Sequence, residues 1–204
     1  MDSRKYFIIS VALIAIVTGA WLSWRVMLPP PSLQTATLLP APAALAEFSL
    51  LDQGGNAFSQ HSFSGDWNLV FFGFTNCPDV CPTTLQVLAT ARKQLLADGL
   101  ETLPRIVLVS VDPERDTPAI IGAYVAHFGA GIVGVTGTLE ETKKLTDGLG
   151  IYFGKSGFDG DNYSVDHSAV VIVVNPAGQF HALFGAPHAA QNFVHDMPIL
   201  MTGR

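Results

Sequence analysis

Cysteine is scarce, with two in 204 residues. That is too few for a disulfide-stapled miniprotein or a four-cysteine zinc ribbon. Charge is also scarce, at 14%, and basic charge scarcest: 11 lysines and arginines against 17 acids give a formal net charge of −6. This balance excludes a domain-wide basic face for nucleic acid. Between Arg25 and Arg92 there is no lysine or arginine. The sequence has no G-x-S-x-G nucleophile elbow. Gly154-Lys155-Ser156 ends like a phosphate loop, but Leu149 stands where the loop's first glycine is needed. Asp112, Glu114 and Asp116 alternate like calcium ligands, but Thr117 follows where glycine is required. Apolar residues, by contrast, are abundant at 49%, with a mean hydropathy of +0.35. Those values exclude disorder in bulk and point to a membrane segment.

Tyr6 to Trp24 is that segment: uncharged, mostly apolar, preceded by Arg4 and Lys5 and closed by Trp21 and Trp24. As a helix it spans about 28 Å at ~1.5 Å per residue, close to the ~30 Å hydrocarbon core. A cleaved signal peptide is the rival. Thr18-Gly19-Ala20 is interrupted as a cleavage site by Trp21 and Leu22, and Ala44-Leu45-Ala46 lies too far downstream. The expectation is therefore a transmembrane anchor over residues 1–28, N-terminus cytoplasmic, with the remainder outside. Residues 29–46, rich in proline and alanine, read as a semi-extended tether. Residues 47–204 then form one domain.

Within that domain, Asn68 to Phe74, Arg105 to Val111 and Ala169 to Val174 are short continuous apolar runs. They read as strands buried on both faces. Helices are expected over 82–96, 117–128, from Thr138 to a stop at Gly148, and 189–201, with hairpins near 48–58 and 169–184. Strands joined by helices give a mixed α/β sheet flanked by helices.

Cys77 and Cys81 lie in FFGFTNCPDVCP (71–82), where the first buried strand ends and a helix begins. Pro82 suits the first helical turn, so both sulfurs crowd a helix N-terminus that favours thiolate. Three roles remain open for the pair: structural thiols or a plain disulfide, a redox dithiol, and a soft-metal site. Thioredoxin-type redox pairs are separated by two residues, whereas three intervene here. Two thiolates select copper(I), zinc or iron–sulfur, and a third ligand would complete a copper site. Among six histidines, His167 stands apart because it immediately precedes the third buried strand. Loops at one sheet edge can bring it to the cysteines, with Asp166 and Ser168 as polar partners.

Four segments, FFGFTNCPDVCP (71–82), VSVDPERDTP (109–118), GVTGT (134–138) and YSVDHS (163–168), together resemble the Sco/SenC family. The resemblance implies a thioredoxin-like fold and a copper-binding protein of cytochrome c oxidase assembly. It implies that Cys77, Cys81 and His167 hold copper, as Cu+ or Cu2+, and that the two cysteines pair as a disulfide when oxidised. Asp112 is implied as a support rather than a ligand, beside Asp166, which its place next to His167 already marks as a polar support for that loop. The implied role is a metallochaperone in a bacterial-type inner membrane, its C-terminal domain periplasmic. It would deliver copper to an oxidase subunit and meet a copper donor or a thiol–disulfide partner. Asn76 departs from the family, where many members carry histidine. The alternatives are a thiol–disulfide reductase that keeps the acceptor's cysteines reduced, a copper or redox sensor, and a thiol peroxidase.

Overall fold

The three continuous apolar runs become neighbouring strands at the centre of one sheet. The computed structural model describes residues 3–27, 32–157 and 163–202. Two units result, divided between Ser32 and Leu33. The first contains helix α1 (Ser3–Met27), with large apolar side chains from Tyr6 to Trp21 exposed along it. Among the described residues no helix is long and apolar enough to cross a membrane. The flanking residues Arg4, Lys5, Trp24 and Arg25, used above to orient an anchor, have side chains outside the described residues, as do Pro29 to Pro31.

The second unit begins with a strand where a tether was expected. Strand β1 (Ala36–Ala44) is followed by β2 (Leu50–Asp52) and β3 (Ala57–Phe58), a 3-10 turn (Gln60–Phe63) and β4 (Asn68–Gly73). Helix α2 (Val80–Ala97), β5 (Arg105–Ser110), α3 (Pro118–Ala126), β6 (Ile132–Thr136) and α4 (Leu139–Leu149) come next. The chain ends with β7 (Phe153–Ser156), β8 (Ser164–His167), β9 (Val171–Val174), β10 (Gln179–Phe184) and α5 (Ala190–Thr202).

Eight strands form one sheet in the order β1-β10-β9-β4-β5-β6-β2-β3, and β7 and β8 form a separate pair. Strands β4, β5 and β6 are parallel, and β9 runs antiparallel to β4. Every residue of β4 and of β9 is buried, as a continuous apolar run requires. Helix α2 packs with α5, and α3 packs on β6. Thr117 and Thr138 cap α3 and α4 by accepting from the amides of Ile120 and Glu141. Helix α4 passes the expected stop at Gly148 and ends at Gly150, whose φ of 68° is the left-handed conformation that glycine adopts freely.

Strand β1 holds at the sheet edge despite Pro40 and Pro42 because it has one neighbour, β10, and its register shifts between Leu38 and Ala43. Prolines are tolerated at an edge and at such irregularities. The strand's entry is pinned by Asp196 of α5. Its buried carboxylate accepts from the amides of Gln34, Thr35 and Ala36 at 2.9, 2.8 and 2.7 Å, and from the Thr35 hydroxyl at 3.0 Å. The compact unit thus starts at Leu33 rather than at 47.

Candidate metal centre

The end of β4 and the start of α2 place the cysteines. Cys77 sits half-buried in the intervening loop and Cys81 is fully buried in the first turn of α2. Both thiols are free. The Cys81 amide donates to Cys77 Sγ at 3.4 Å, so a helix N-terminal N–H does point at a sulfur, as expected from the sequence. Burial nevertheless pushes the Cys81 thiol well above its ordinary pKa, with Cys77 adding to the rise. This reverses the expectation of a thiolate for Cys81 in the metal-free protein: desolvation outweighs the helix terminus. A metal would have to displace that proton.

Room for the Cys81 sulfur comes from Gly73, the last residue of β4. A Cβ there would lie 2.8 Å from Cys81 Sγ, closer than real contacts allow, and a tight 3.0 Å from Phe71 Cε1. Gly73→Ala is expected to push the Cys81 sulfur aside. A chelator-competition titration should show copper retention falling roughly tenfold, with ~1–3 kcal/mol of stability lost to overpacking. Unchanged retention would mean that the sulfur's position does not matter.

His167 ends β8, which brings it to the cysteines from the other side. Its Nε2 lies 3.5 Å from Cys81 Sγ. Nδ1 lies 3.3 Å from the Ser168 carbonyl, which can only accept, so the ring proton sits there and Nε2 keeps its lone pair. Phe71 and Phe74 meet the ring edge-on, with centroids 5.9 and 6.0 Å away. Burial holds the imidazole below its ordinary pKa, partly offset by the Ser168 carbonyl and the Asp166 charge. It is therefore neutral at pH 7, the form that binds metals.

The ligand atoms of Cys77, Cys81 and His167 all lie within 4.8 Å of one another. Ligands at about 2.0–2.3 Å from a shared ion are roughly 3.3–4 Å apart, so the set closes around one ion with small movements. Two sulfurs and an imidazole form a soft donor set of the kind copper(I) takes. A cleft of about 260 Å³ opens beside Cys77 and His167, lined by Phe74, Pro78, Val80 and Val165 with Asp79 and Asp166.

The expected supports behave differently from one another. Asp112 is buried, accepts from the Tyr163 hydroxyl at 2.6 Å and pairs with Arg115. Asp166 is exposed, and the His167 ring turns to the Ser168 carbonyl instead, leaving Asp166 only its charge. Sequence reasoning missed Asp116, Arg115 and Tyr163. Asp116 is fully buried and receives the Thr75 amide and hydroxyl, at 3.1 and 2.5 Å, and the Ser110 hydroxyl at 2.6 Å. It ties the cysteine loop to the end of β5. Burial raises its pKa, and those hydrogen bonds only partly offset the rise. Its one signal in the sequence was the DPERDT run, which above was set against a calcium loop and counted toward the family resemblance without giving Asp116 a role.

The family model SCO1/SenC matches residues 37–202. A protein of Stutzerimonas stutzeri named for copper binding is 39% identical over 164 residues, covering 80% of both chains. The human mitochondrial SCO1 homolog is 37% identical over 141 residues, covering 68% of this chain and 46% of that one. The chain spans 65% of the mouse mitochondrial SCO2 homolog. Among solved structures, Arabidopsis thaliana ScoI with copper bound aligns with a TM-score of 0.75 and 31% identity, over 79% of this chain and 100% of that one. Yeast Sco1 with copper bound gives 0.73 and 30%, over 80% and 91%. The thioredoxin-like expectation agrees with this likeness, and the match runs from the edge strand β1 to helix α5: the chain belongs to the SCO1/SenC family.

Proposed function

We propose that the protein is a membrane-anchored copper metallochaperone that delivers copper to the copper centre of a cytochrome c oxidase subunit. The observation that carries this reading is the convergence of Cys77, Cys81 and His167, ligand atoms within 4.8 Å, beside an open cleft. Copper bound in the Arabidopsis and yeast relatives supports the choice of metal. The oxidase acceptor is what the sequence resemblance implies.

In this reading Cys77, Cys81 and His167 are the ligands. Cys77 is the more accessible sulfur and faces the cleft, so an incoming ligand meets it first. Transfer then proceeds by exchange, each protein ligand released as an acceptor ligand binds. The buried Cys81 lets go last and recovers its proton. The uncharged run Tyr6–Trp24, the exposed apolar side chains of α1 and the basic residues ahead of it support an inner-membrane anchor with a periplasmic domain. Recovery of the full chain in the carbonate-washed membrane fraction tests that part.

The copper site is tested with the full chain in detergent, reduced and metal-free, titrated beside His167→Ala. One copper should bind per chain, with retention at least a hundredfold weaker in the variant. Binding indifferent to His167 would sink the three-ligand site. A second reading, a thiol–disulfide reductase, is favoured by the proximity of an accessible and a buried sulfur, since Cys77 Sγ already meets the Cys81 amide. It needs both cysteines but not the imidazole, so an undiminished biological role for His167→Ala would select it.

A further inference from the structure

The two halves of the metal centre sit on different sheets. The cysteines follow β4 of the eight-stranded sheet, whereas His167 belongs to the separate β7–β8 pair. The hydrogen bonds at the base of that pair are its own: the Ser168 amide to the Tyr152 carbonyl at 2.9 Å, and the Tyr152 amide to the Ser168 hydroxyl at 3.1 Å. The short run from His167 into β9, which pairs with β4, and the buried Val165 set part of the distance from the imidazole to the thiols; polar contacts from the β7–β8 pair set the rest.

Among the described residues, the other hydrogen bonds and ion pairs from residues 152–168 to the rest of the unit, His167 with Cys81 aside, run to residues 112–115. The Tyr163 hydroxyl donates to Asp112 at 2.6 Å, and Arg115 Nη1 donates to the Tyr163 carbonyl at 3.0 Å. Lys155 pairs with Glu114 at 2.6 Å. Two cations lie against the Tyr163 ring, Arg115 at 3.9 Å and Lys155 at 4.3 Å from its centroid. Asp112 is in turn a fixed point, buried, its amide held by the Ser110 hydroxyl at 3.0 Å and its carboxylate paired with Arg115. The same short loop reaches the cysteines through Asp116 and Thr75, and Val111 donates to the Gly73 carbonyl at 2.9 Å. One loop, Ser110–Asp116, therefore touches both halves.

We infer that Tyr163 and Arg115 are positioning residues for His167: clamped on Asp112, they hold the β7–β8 pair where the imidazole reaches the thiols. Neither residue is a ligand. The inference rests on the copper reading for its meaning in function, but the geometry it describes exists without metal.

Tyr163→Phe removes one hydroxyl and keeps the ring on which its two cations rest. In the full chain, chelator competition should show copper retained roughly tenfold less well, the lower end of the cost of losing an outer ligand-orienting group. Introduced into His167→Ala, the same change should cost nothing further, because the ligand it positions is gone. In metal-free protein, the nuclear Overhauser contacts of the His167 ring with Phe71 and Phe74 should weaken in Tyr163→Phe. Arg115→Gln should reproduce both effects and serves as the second variant if Tyr163→Phe does not fold. An equal loss in the His167→Ala background would overturn the inference, as would unchanged ring contacts. If wild-type protein takes up no copper, the copper reading fails, and the ring contacts still decide the clamp.

Discussion

Cys81→Ser is expected to abolish stoichiometric copper retention, weakening it by more than the ~10–100-fold that loss of an outer supporting group costs. The sulfur it removes is the fully buried one, 3.5 Å from His167 Nε2 and receiving space from Gly73. A serine hydroxyl is a hard donor that copper(I) takes poorly. It would also stand in an apolar pocket, so ~1–3 kcal/mol of stability should go if it finds no partner. Copper per chain after gel filtration, with urea unfolding beside it, separates the two effects. The reductase reading needs the same sulfur. Biological activity that survives Cys81→Ser would therefore count against both functional readings at once.

The largest stability effect is expected at Asp196, which shares no hydrogen bond with the candidate metal ligands. Burial alone would raise its pKa, but the amides of Ala36 and Gln34, then His195 and the Thr35 amide, bring it down to about 2. A carboxylate depressed in the folded state contributes stability that is present above its unfolded pKa of ~3.9. That contribution disappears as pH falls through about 2. The shift corresponds to roughly 2–3 kcal/mol at neutral pH. Asp196→Asn should lose about that amount by urea unfolding at pH 7, and its disadvantage should shrink steadily between pH 4 and pH 2. A variant as stable as wild type at pH 7 would show that the donors at the start of β1 find water as readily as the carboxylate.

The legibility of the fold follows what each strand buries. Strands β4, β5 and β9 could be read because each carries a continuous apolar run, flanked by a polar residue at most at its ends, and they sit at the sheet centre. Strand β1 could not: it is an exposed edge with two prolines, and only pairing to β10 and the Asp196 anchor make it a strand. Strands β7 and β8 are four residues each and mostly polar, so no alternation announces them. Strand β6 is short and interrupted by Gly134, where a side chain would strike Ile121.

The site divides in the same way. Cys77 and Cys81 share one motif, and His167 precedes a buried run, so local sequence singled them out. Asp116, Arg115 and Tyr163 act across 41 and 48 residues of chain. Their partners exist only once β4, β5 and the β7–β8 pair have met, and no spacing encodes that. The pKa of Cys81 was misjudged for a related reason: a helix N-terminus is visible in a sequence, whereas the depth at which a sulfur lies beneath it is not.

Under the proposed delivery role, the edge strand has a consequence for where an anchored unit could hand over copper. Had residues 29–46 been free, the chain between Met27 and Glu47 could extend about 70 Å at the ~3.3–3.6 Å per residue limit. With β1 locked to β10, the six steps of chain from Met27 to Leu33 can extend at most about 20 Å. Held by an anchor, the cargo would then search a thin layer rather than an open volume. Its effective concentration toward a receptor in that layer rises as the leash shortens, and a receptor site far above the bilayer lies out of range. Releasing β1 would trade that local concentration for reach.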